Sequence, residues 1–531
     1  MCDVTKDNFT QVYPEIEQSL RHASFIALDL EFTGLTAEGE HVNSLFDSIE
    51  YRYQKLKMMA QKFSIPQLGL TAFVKMKEGN KYEAFTYNFY LFPASWGPVD
   101  SWLTCQASSL KFLCCHEFDF NKWIYRGVSF LTKKQEEDLR KMMKESPFNL
   151  ARDIDDDNMM KDIIRKVGDW LSQEQDDVMC IGEFDALQGL YLQLGLKRAF
   201  PSVNIEVKDS GEINMIPLLS INSLTSLFCL LLDSIIDNLL GFTKVFQLLI
   251  ECKKPLVGHN CLTDMVLIYE KFHCPLPEKL SEFKKNVHEM FPCVIDTKTI
   301  MKEYRRKFRN LGIDIPSTAL QSLYLSVKSA AVKMSVMDTP AIIIHHNSTK
   351  YEHAEHLHEA GYDSYVSGYV FLTLAHILSV NNLGQASTTL VTFHDYLQVL
   401  KPCTNKLNVI RASVDHLALG GKEDSSSYPH WLHVQAKHST LDASELADLL
   451  QEYSTVDVQL LNQKTAVVAV RSVTGCRKIL KDFRKHETLK ITRYNVIQHN
   501  KVVRYSLWGA LALMGTVCVW ALFGGKPSDT G

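Results

Sequence analysis

The sequence predicts an α/β protein, and three observations carry that reading. Residues 24–35, SFIALDLEFTGL, form a continuous apolar run from which two carboxylates emerge, the mark of a buried strand. PQLGLTAFV and AFTYNFYLFP alternate and are rich in β-branched and aromatic residues, as two further antiparallel strands would be. Beyond residue 243, apolar strands and amphipathic helices follow one another.

Composition narrows the class. The 531 residues suffice for three or four domains at about 150 residues each. Apolar residues make up 46% and charged residues 22%, the balance of a folded globular chain. With 57 Lys and Arg against 61 Asp and Glu, the net charge of −4 excludes a protein that coats nucleic acid through bulk positive charge. The 13 cysteines are odd in number and hold no CxxC pair, so free thiols in a reducing compartment are expected rather than disulfides or a zinc ribbon. MCDVTKDNF has no apolar core of a secretory signal.

The elements follow in order. An amphipathic helix is predicted over Phe9–His22, then the three strands, and these with the charged helix TKKQEEDLRKMMKE make a first domain part, residues 1–157. Residues 158–240 read as a small inserted α/β domain, with helices IIRKVGDWLSQ and GEFDALQGLYLQLGLKRAF and strand NIEVK. Residues 241–385 resume the first domain: strand PLVGHN, helix CLTDMVLIYEKF, a surface connection PLPEKLSEFKK, the segment VIDTKTIM and a helix starting near Gly361. Cys114 and Cys115 are read as neighbours on an extended segment. Residues 216–250 are Leu- and Ile-rich, but Asp233, Asp237 and Lys244 interrupt them, so core helices are expected there and not a membrane span.

Residues 400–496 read as βαββαβ, the order of an RNA-recognition motif: WLHVQA, a helix capped by Asp442 with Glu445 at the capping-box position, the hairpin VDVQLLN–KTAVVAV, the helix TGCRKILKDFRK and LKITRYN. Residues 506–523 carry no charge and suffice to cross a bilayer at about 1.5 Å per residue. Tyr505, Trp508 and Trp520 lie near the ends of the stretch, and Lys501 and Arg504 flank it, so a single transmembrane tail anchor is predicted over 505–523 with the bulk of the chain cytosolic.

Four carboxylates stand out. Asp29 and Glu31 are two apart on a strand, so their side chains share a face, where only cations relieve their repulsion. Asp264 lies one turn into the helix after GHN, and Asp363 early in the helix after HEAGY. Convergent carboxylates are hard oxygen ligands for Mg²⁺ or Mn²⁺, and two such ions can activate a water and stabilise a leaving 3′-oxygen. His358, five residues before Asp363, is placed to deprotonate that water. His353 and His356 have helical spacing, but no further ligand pairs with them, so zinc is not expected.

The motifs LDLEFTGL, VGHNCLTD and HEAGYD, in that order, resemble the three exonuclease motifs of the DEDDh nucleases, which have an RNase H-like fold. SIPQLGL, YNFYLFP, FDFNKWIYRGV, CPLPEKLSEFK and FPCVIDTK are similar to the poly(A)-specific ribonuclease branch of that family, and the apolar tail resembles its piRNA-trimming members. The resemblance implies a 3′-to-5′ exoribonuclease with Asp29, Glu31, Asp264 and Asp363 holding two Mg²⁺ ions and His358 as general base. It further implies that Lys298 contacts substrate near its 3′ end, that Phe32 touches the terminal base, and that the substrates are single-stranded RNA 3′ ends of piRNA precursors held by PIWI proteins, delivered with a Tudor-domain adaptor.

Two departures bear on RNA contact. The insert lacks the Arg-x-x-x-His pair of the family's small nucleic-acid-binding domain, and the hairpin VDVQLLNQKTAVVAV carries no aromatic on which to stack a cap. The last domain is therefore expected to pack or to support a homodimer. The alternatives are a deadenylase of mRNA tails, which the same catalytic set would support, and an inactive RNA-binding scaffold at a membrane. Charge is divided: residues 471–505 hold ten Lys or Arg and two acids, a net of +8, leaving −12 elsewhere. Basic residues beside a span attract anionic headgroups, and the endoplasmic reticulum or the mitochondrial outer membrane suits such a tail.

Overall fold

The computed structural model describes residues 3–37, 43–96, 99–145, 158–172, 179–183, 192, 195–196, 199–200, 203–207, 212–217, 236–334, 338–353, 355–383, 390–421 and 430–499, with 506, 509, 513, 514 and 516. The chain divides into two compact units, one of residues 1–40, 55–408 and 418–420, the other of residues 41–54, 409–417 and 421–531.

The first unit is built on a seven-stranded mixed sheet. Its centre is β1 (Phe25–Glu31), flanked on one side by β2 (Gln67–Lys75) and β3 (Lys81–Tyr90), and on the other by β4 (Leu256–Gly258) and β5 (Val294–Asp296). β2 runs antiparallel to β1 and β3, while β4 runs parallel to both β1 and β5. This is the 3-2-1-4-5 order with one reversed strand of an RNase H-like sheet. Two short strands extend it along the far edge of β3, Asp3–Val4 and β6 (Ala341–Ile344), both parallel to β3. Helix α1 (Phe9–His22) buries Phe9, Ile16 and Leu20.

A helix that is apolar nearly all round needs an apolar neighbour on every side. Helix α6 (Ala360–Leu383) is of this kind, and it lies against β1, β2 and β3. (Four helices that precede it, α2–α5, are given below.) Phe25 of β1 stacks on Phe73 of β2 at 4.5 Å, and Phe371 of α6 meets Phe25 edge-on at 4.7 Å. Burying each such ring contributes roughly 1.5–3 kcal/mol. Thr71 ties the layers, its hydroxyl lying 2.7 Å from that of Ser364 on α6 and 3.1 Å from that of Thr86 on β3.

The first turn of α6 is docked by two strand side chains. The first N–H groups of a helix lack intrahelical partners. Here the Ala360 N–H donates to Gln67 Oε1 at 2.9 Å and the Gly361 N–H to Asn88 Oδ1 at 3.0 Å. Gly69 permits the approach: a Cβ there would stand 1.9 Å from the Ala360 carbonyl oxygen. Asp29 is the strand partner of Gly69, so the helix start lies directly beside the first carboxylate.

Three helices line the other side of the site: α2 (Ala107–Cys115), α3 (Leu262–Ile268) and α4 (Thr297–Asn310), with α5 (Leu320–Met334) against α6. Cys114 and Cys115 belong to helix α2 and not to an extended segment, and both are exposed. The stretch read as a surface connection contains the helix Leu280–Met290, because Leu280, Phe283, Val287 and Met290 recur at helical spacing and are buried. That periodicity was masked by the prolines just before it.

The insert has its own core. Helix Asn158–Leu171 accompanies an antiparallel sheet in which Glu212–Pro217 lies between Met179–Glu183 and Val203–Val207. Met160, Ile163, Val167, Leu192 and Leu196 form the buried cluster. The chain returns at a closed neck, where the Phe242 N–H donates to Ser129 O at 2.9 Å and the Thr243 hydroxyl to Leu131 O at 2.7 Å. Of the apolar stretch 216–250, residues 218–235 lie outside the described residues, and Phe242–Cys252 is a core helix with six buried side chains.

The second unit contains an antiparallel sheet of β7 (His430–Ala436), β8 (Val456–Asn462), β9 (Thr465–Val470) and β10 (Leu489–Arg493), ordered β8-β9-β7-β10, with helices α7 (Ala443–Gln451) and α8 (Val473–Asp482). Asp442 caps α7, accepting from the Ser444 and Glu445 N–H groups at 2.8 and 3.0 Å. Leu432, Val434 and Ala436 face the helices. The alternate residues of β7 face the other way, and there Trp431 packs against Phe46 and Tyr494, each at 5.5 Å, while His433 stacks on His499 at 4.2 Å. Asp457 of β8 accepts from Ser44 Oγ at 3.1 Å and from the Leu45 N–H, and also pairs with Arg411. The aromatic missing from the hairpin thus has a counterpart on the central strand, engaged by the chain's own residues.

No helix among the described residues is long and apolar enough to cross a membrane. The stretch 505–523 lies, apart from five scattered positions, outside the described residues.

The contact at Gly69 makes a quantitative prediction. Gly69→Ala forces the start of α6 away from β2 and destabilises the protein by about 1–3 kcal/mol, read as a lowered midpoint in urea denaturation; an unchanged midpoint would show that the layers separate freely.

Candidate active site

Each carboxylate is delivered by a different device. Asp29 and Glu31 come from the last turn of the pleat of β1, on one face, opposite Gly69 and Gln67 of β2. β4 ends at Gly258, and the loop that follows turns at Asn260, whose φ of 61° is left-handed, before α3 presents Asp264. Asp363 sits in the first turn of α6, held by the docking just described.

The loop after β4 is fixed by a fifth buried carboxylate. Asp296, fully buried at the end of β5, accepts from the backbone N–H groups of Asn260 at 2.9 Å, Cys261 at 3.2 Å, Lys298 at 2.9 Å and Asn408 at 2.9 Å. Four donors satisfy it, which is why it is a scaffold group and not a metal candidate. Glu359 fixes the opposite loop, accepting from Tyr351 Oη at 2.7 Å, from Asn88 Nδ2 at 3.1 Å and from Lys350 Nζ.

His358 lies between these parts. Its ligand atoms, those of Glu31 and those of Asp363 all lie within 4.8 Å of one another. Its backbone is left-handed, φ 61°, a costly conformation for a non-glycine residue. Its N–H helps hold the Asp363 carboxylate, so base and acid share one turn. Its ring is set against His116 at 4.2 Å and Phe112 at 4.8 Å, on and just after α2.

Electrostatics show how closely the acids are gathered. Burial, then Asp363, Asp264 and Glu31, push the Asp29 carboxyl well above the usual range. Burial, then Asp363 and Asp264, do the same to Glu31. Asp264 and Asp363 are each pushed up to about 7, burial being the largest cause in both, against the backbone N–H groups that hold them. His358 goes the other way, lowered by burial and then by the neighbouring His116, so its ring is neutral at pH 7 and can accept a proton. Four oxygen donors too close to be ionised together, with Glu31 and Asp264 only 7% and 6% exposed, are a donor set that fits hard divalent cations.

Of the residues read from the sequence, the structure brings together Asp29, Glu31, Asp264, Asp363 and His358. Phe32 follows Glu31 directly and is half-buried. Lys298 opens α4 beside His259, whose ring burial lowers to about 4, with Lys298 adding to the effect. Neither His353 nor His356 enters the described group of potential ligands. The sequence reading missed His116, Phe112, Gln67, Asn88 and Asp296. Only VIDTK, already noted for Lys298, offered a signal for one of them; the others are contributed by elements distant in sequence.

A mixed sheet with carboxylates converging at the end of its central strand defines a phosphodiester-cleaving nuclease. The particular family follows from comparison: residues 4–371 match the model of the CAF1 family ribonucleases, and the chain belongs to that family. It is 30% identical over 529 residues to the pre-piRNA 3′-exonuclease trimmer of Bombyx mori, covering 98% of each chain. It is 31% identical over 510 residues to the poly(A)-specific ribonuclease PNLDC1 of Homo sapiens, covering 94% of this chain and 96% of that one. The poly(A)-specific ribonuclease PARN of Xenopus laevis is 26% identical over 527 residues, covering 93% of this chain and 80% of that one. The protein is a 3′-to-5′ exoribonuclease, a hydrolase of RNA 3′ ends.

The raised carboxyls fix the sign of a pH effect. In the metal-free protein the native state keeps protons that the unfolded state, with ordinary Asp values near 3.8, has released, so stability falls as pH rises from about 4 to about 7. Calorimetry of chelator-treated protein should show the melting temperature falling across that window and recovering on addition of Mg²⁺, and Asp363→Asn should flatten the fall. A melting temperature that rises with pH over the same range would contradict the carboxyl assignments.

Proposed function

We propose that this chain trims the 3′ ends of piRNA precursors held by a PIWI protein, releasing 5′-mononucleotides. The observation that carries the reading is the convergence of Asp29, Glu31, Asp264 and Asp363 with His358 at one end of the sheet; the near full-length similarity to a pre-piRNA trimmer supports the substrate. In this reading the four carboxylates hold two Mg²⁺ ions, with Mn²⁺ as a substitute. When bound, those ions stabilise the charge that develops on the attacked phosphate and the departing 3′-oxygen.

The chain's own residues do the rest. An imidazole nitrogen of His358 takes a proton from the water that attacks the terminal phosphodiester, and the neutral state of the ring at pH 7 equips it for that step. The water oxygen bonds to phosphorus, the bond to the 3′-oxygen breaks, and the last nucleotide leaves. His116 and Phe112 keep the base ring in place. Phe32 meets the terminal base and Lys298 the backbone near the 3′ end. The stretch 505–523 anchors the protein in the outer mitochondrial or endoplasmic reticulum membrane, facing the cytosol, and a Tudor-domain adaptor brings the PIWI-bound substrate.

Glu31→Gln should lower the release of mononucleotides by about a thousandfold or more, and His358→Ala by roughly 10²–10⁴-fold, measured on a PIWI-bound RNA with an extended 3′ end. Retention of trimming by Glu31→Gln would remove the assignment. Faster removal of poly(A) than of mixed-sequence ends would favour a deadenylase, the activity named in the poly(A)-specific relatives.

A further inference from the structure

Away from the carboxylates, on the side of α6 that faces β6 and α5, the first unit carries an open cleft of about 490 Å³. That volume lies in the range of ligand sites, about 300–1,000 Å³. Its floor is made by Tyr324, Tyr351, Tyr362 and Tyr365. Each is at least nine-tenths buried, so it is the hydroxyl ends rather than the ring faces that meet the cleft. The Tyr362 and Tyr365 hydroxyls make no hydrogen bond to another described residue. Glu352 and Glu355 form an exposed acidic rim. They face the floor, since Glu355 raises the proton affinity of Tyr362 and Glu352 that of Tyr365.

This lining selects by charge. Two carboxylates and one cation, Lys328, give a net of −1, which repels phosphate and attracts a positive group. The Lys328 ammonium itself lies 3.4 Å from the Tyr324 hydroxyl, so the floor already accommodates a cation. A third feature lies alongside. β6 pairs with β3 on one edge and, among the described residues, with no strand on the other, and its Ile343 is 44% exposed while also lining the cleft. A free strand edge accepts an extended chain by backbone hydrogen bonds, and neighbouring pockets then read alternate side chains.

We propose that this cleft and the free edge of β6 form a docking site for an extended basic segment of a partner protein, with an arginine or lysine side chain set between Glu352, Glu355 and the tyrosine hydroxyls. A guanidinium supplies five donors to those oxygens, and Ile343 receives an apolar neighbour of the basic residue. Docking here also abuts the loop that carries His358: Tyr351 bonds Glu359, and Tyr362 adjoins Asp363. The site is distinct from the nuclease chemistry and does not depend on the choice of RNA substrate.

The test uses the full chain and a fluorescently labelled peptide of alternating arginine and valine, with its citrulline counterpart as the uncharged control, read by anisotropy. Saturable binding of the arginine peptide is expected, about tenfold weaker or more for the citrulline peptide and for the Glu352→Gln/Glu355→Gln variant, and unchanged in Glu31→Gln. Both rim residues are exposed, so the double variant should melt at the wild-type temperature. Equal binding of the two peptides would overturn the proposal. So would loss of binding in Glu31→Gln, which would put the peptide in the catalytic recess, or displacement of the peptide by a single-stranded RNA, which would make the cleft a nucleic-acid site.

Discussion

Four acids cannot share a recess unless something holds them there against their repulsion, and the rest of the first unit is arranged around that requirement. The contact between Gly69 and the start of α6 is the closest part of it. With no side chain at position 69, the helix rests its first turn on the strand, and two side-chain caps from β2 and β3 fix its height and angle. The Phe25–Phe73–Phe371 cluster beneath supplies the apolar burial that keeps the helix from lifting. Asp363 is therefore brought to Asp29 and Glu31 by packing energy, not by any attraction among the acids.

Asp264 reaches the same place by another route. The turn after β4 is held by Asp296, which absorbs four backbone N–H groups and so converts a loop into a rigid bracket. The two buried acids differ only in their partners. Asp296 meets donors and needs nothing further; Asp264 meets few, and its carboxyl is held high for that reason. Chemistry and scaffold are thus separated by hydrogen-bond supply.

Much of this was legible in the sequence, because strand and helix periodicities are local. Asp29 and Glu31 announce themselves by their spacing within an apolar run, and Asp264 and His358 by their distance from GHN and from Asp363. The α/β class, the reversed β2 and the order βαββαβ follow from the same local patterns. What escaped has a different physical origin. His116 is assigned its place by a ring contact across 242 residues of chain, and Gln67 and Asn88 act as caps of a helix some 270 to 290 residues later. The helix Leu280–Met290 was hidden by the two prolines ahead of it. β6, only four residues long and half-exposed, has too short a pattern to be distinguished from a loop.

The second unit draws on the N-terminal part of the chain as well as the last part. Phe46 covers Trp431, and Asp457 accepts hydrogen bonds from Ser44 and from the Leu45 N–H, groups 413 and 412 positions away along the chain. During synthesis this N-terminal segment, with its apolar Leu45 and Phe46, emerges from the ribosome long before its partner sheet exists. Completion of the second unit is therefore tied to release of nearly the whole chain, and a fragment cut before residue 430 leaves that segment without its sheet.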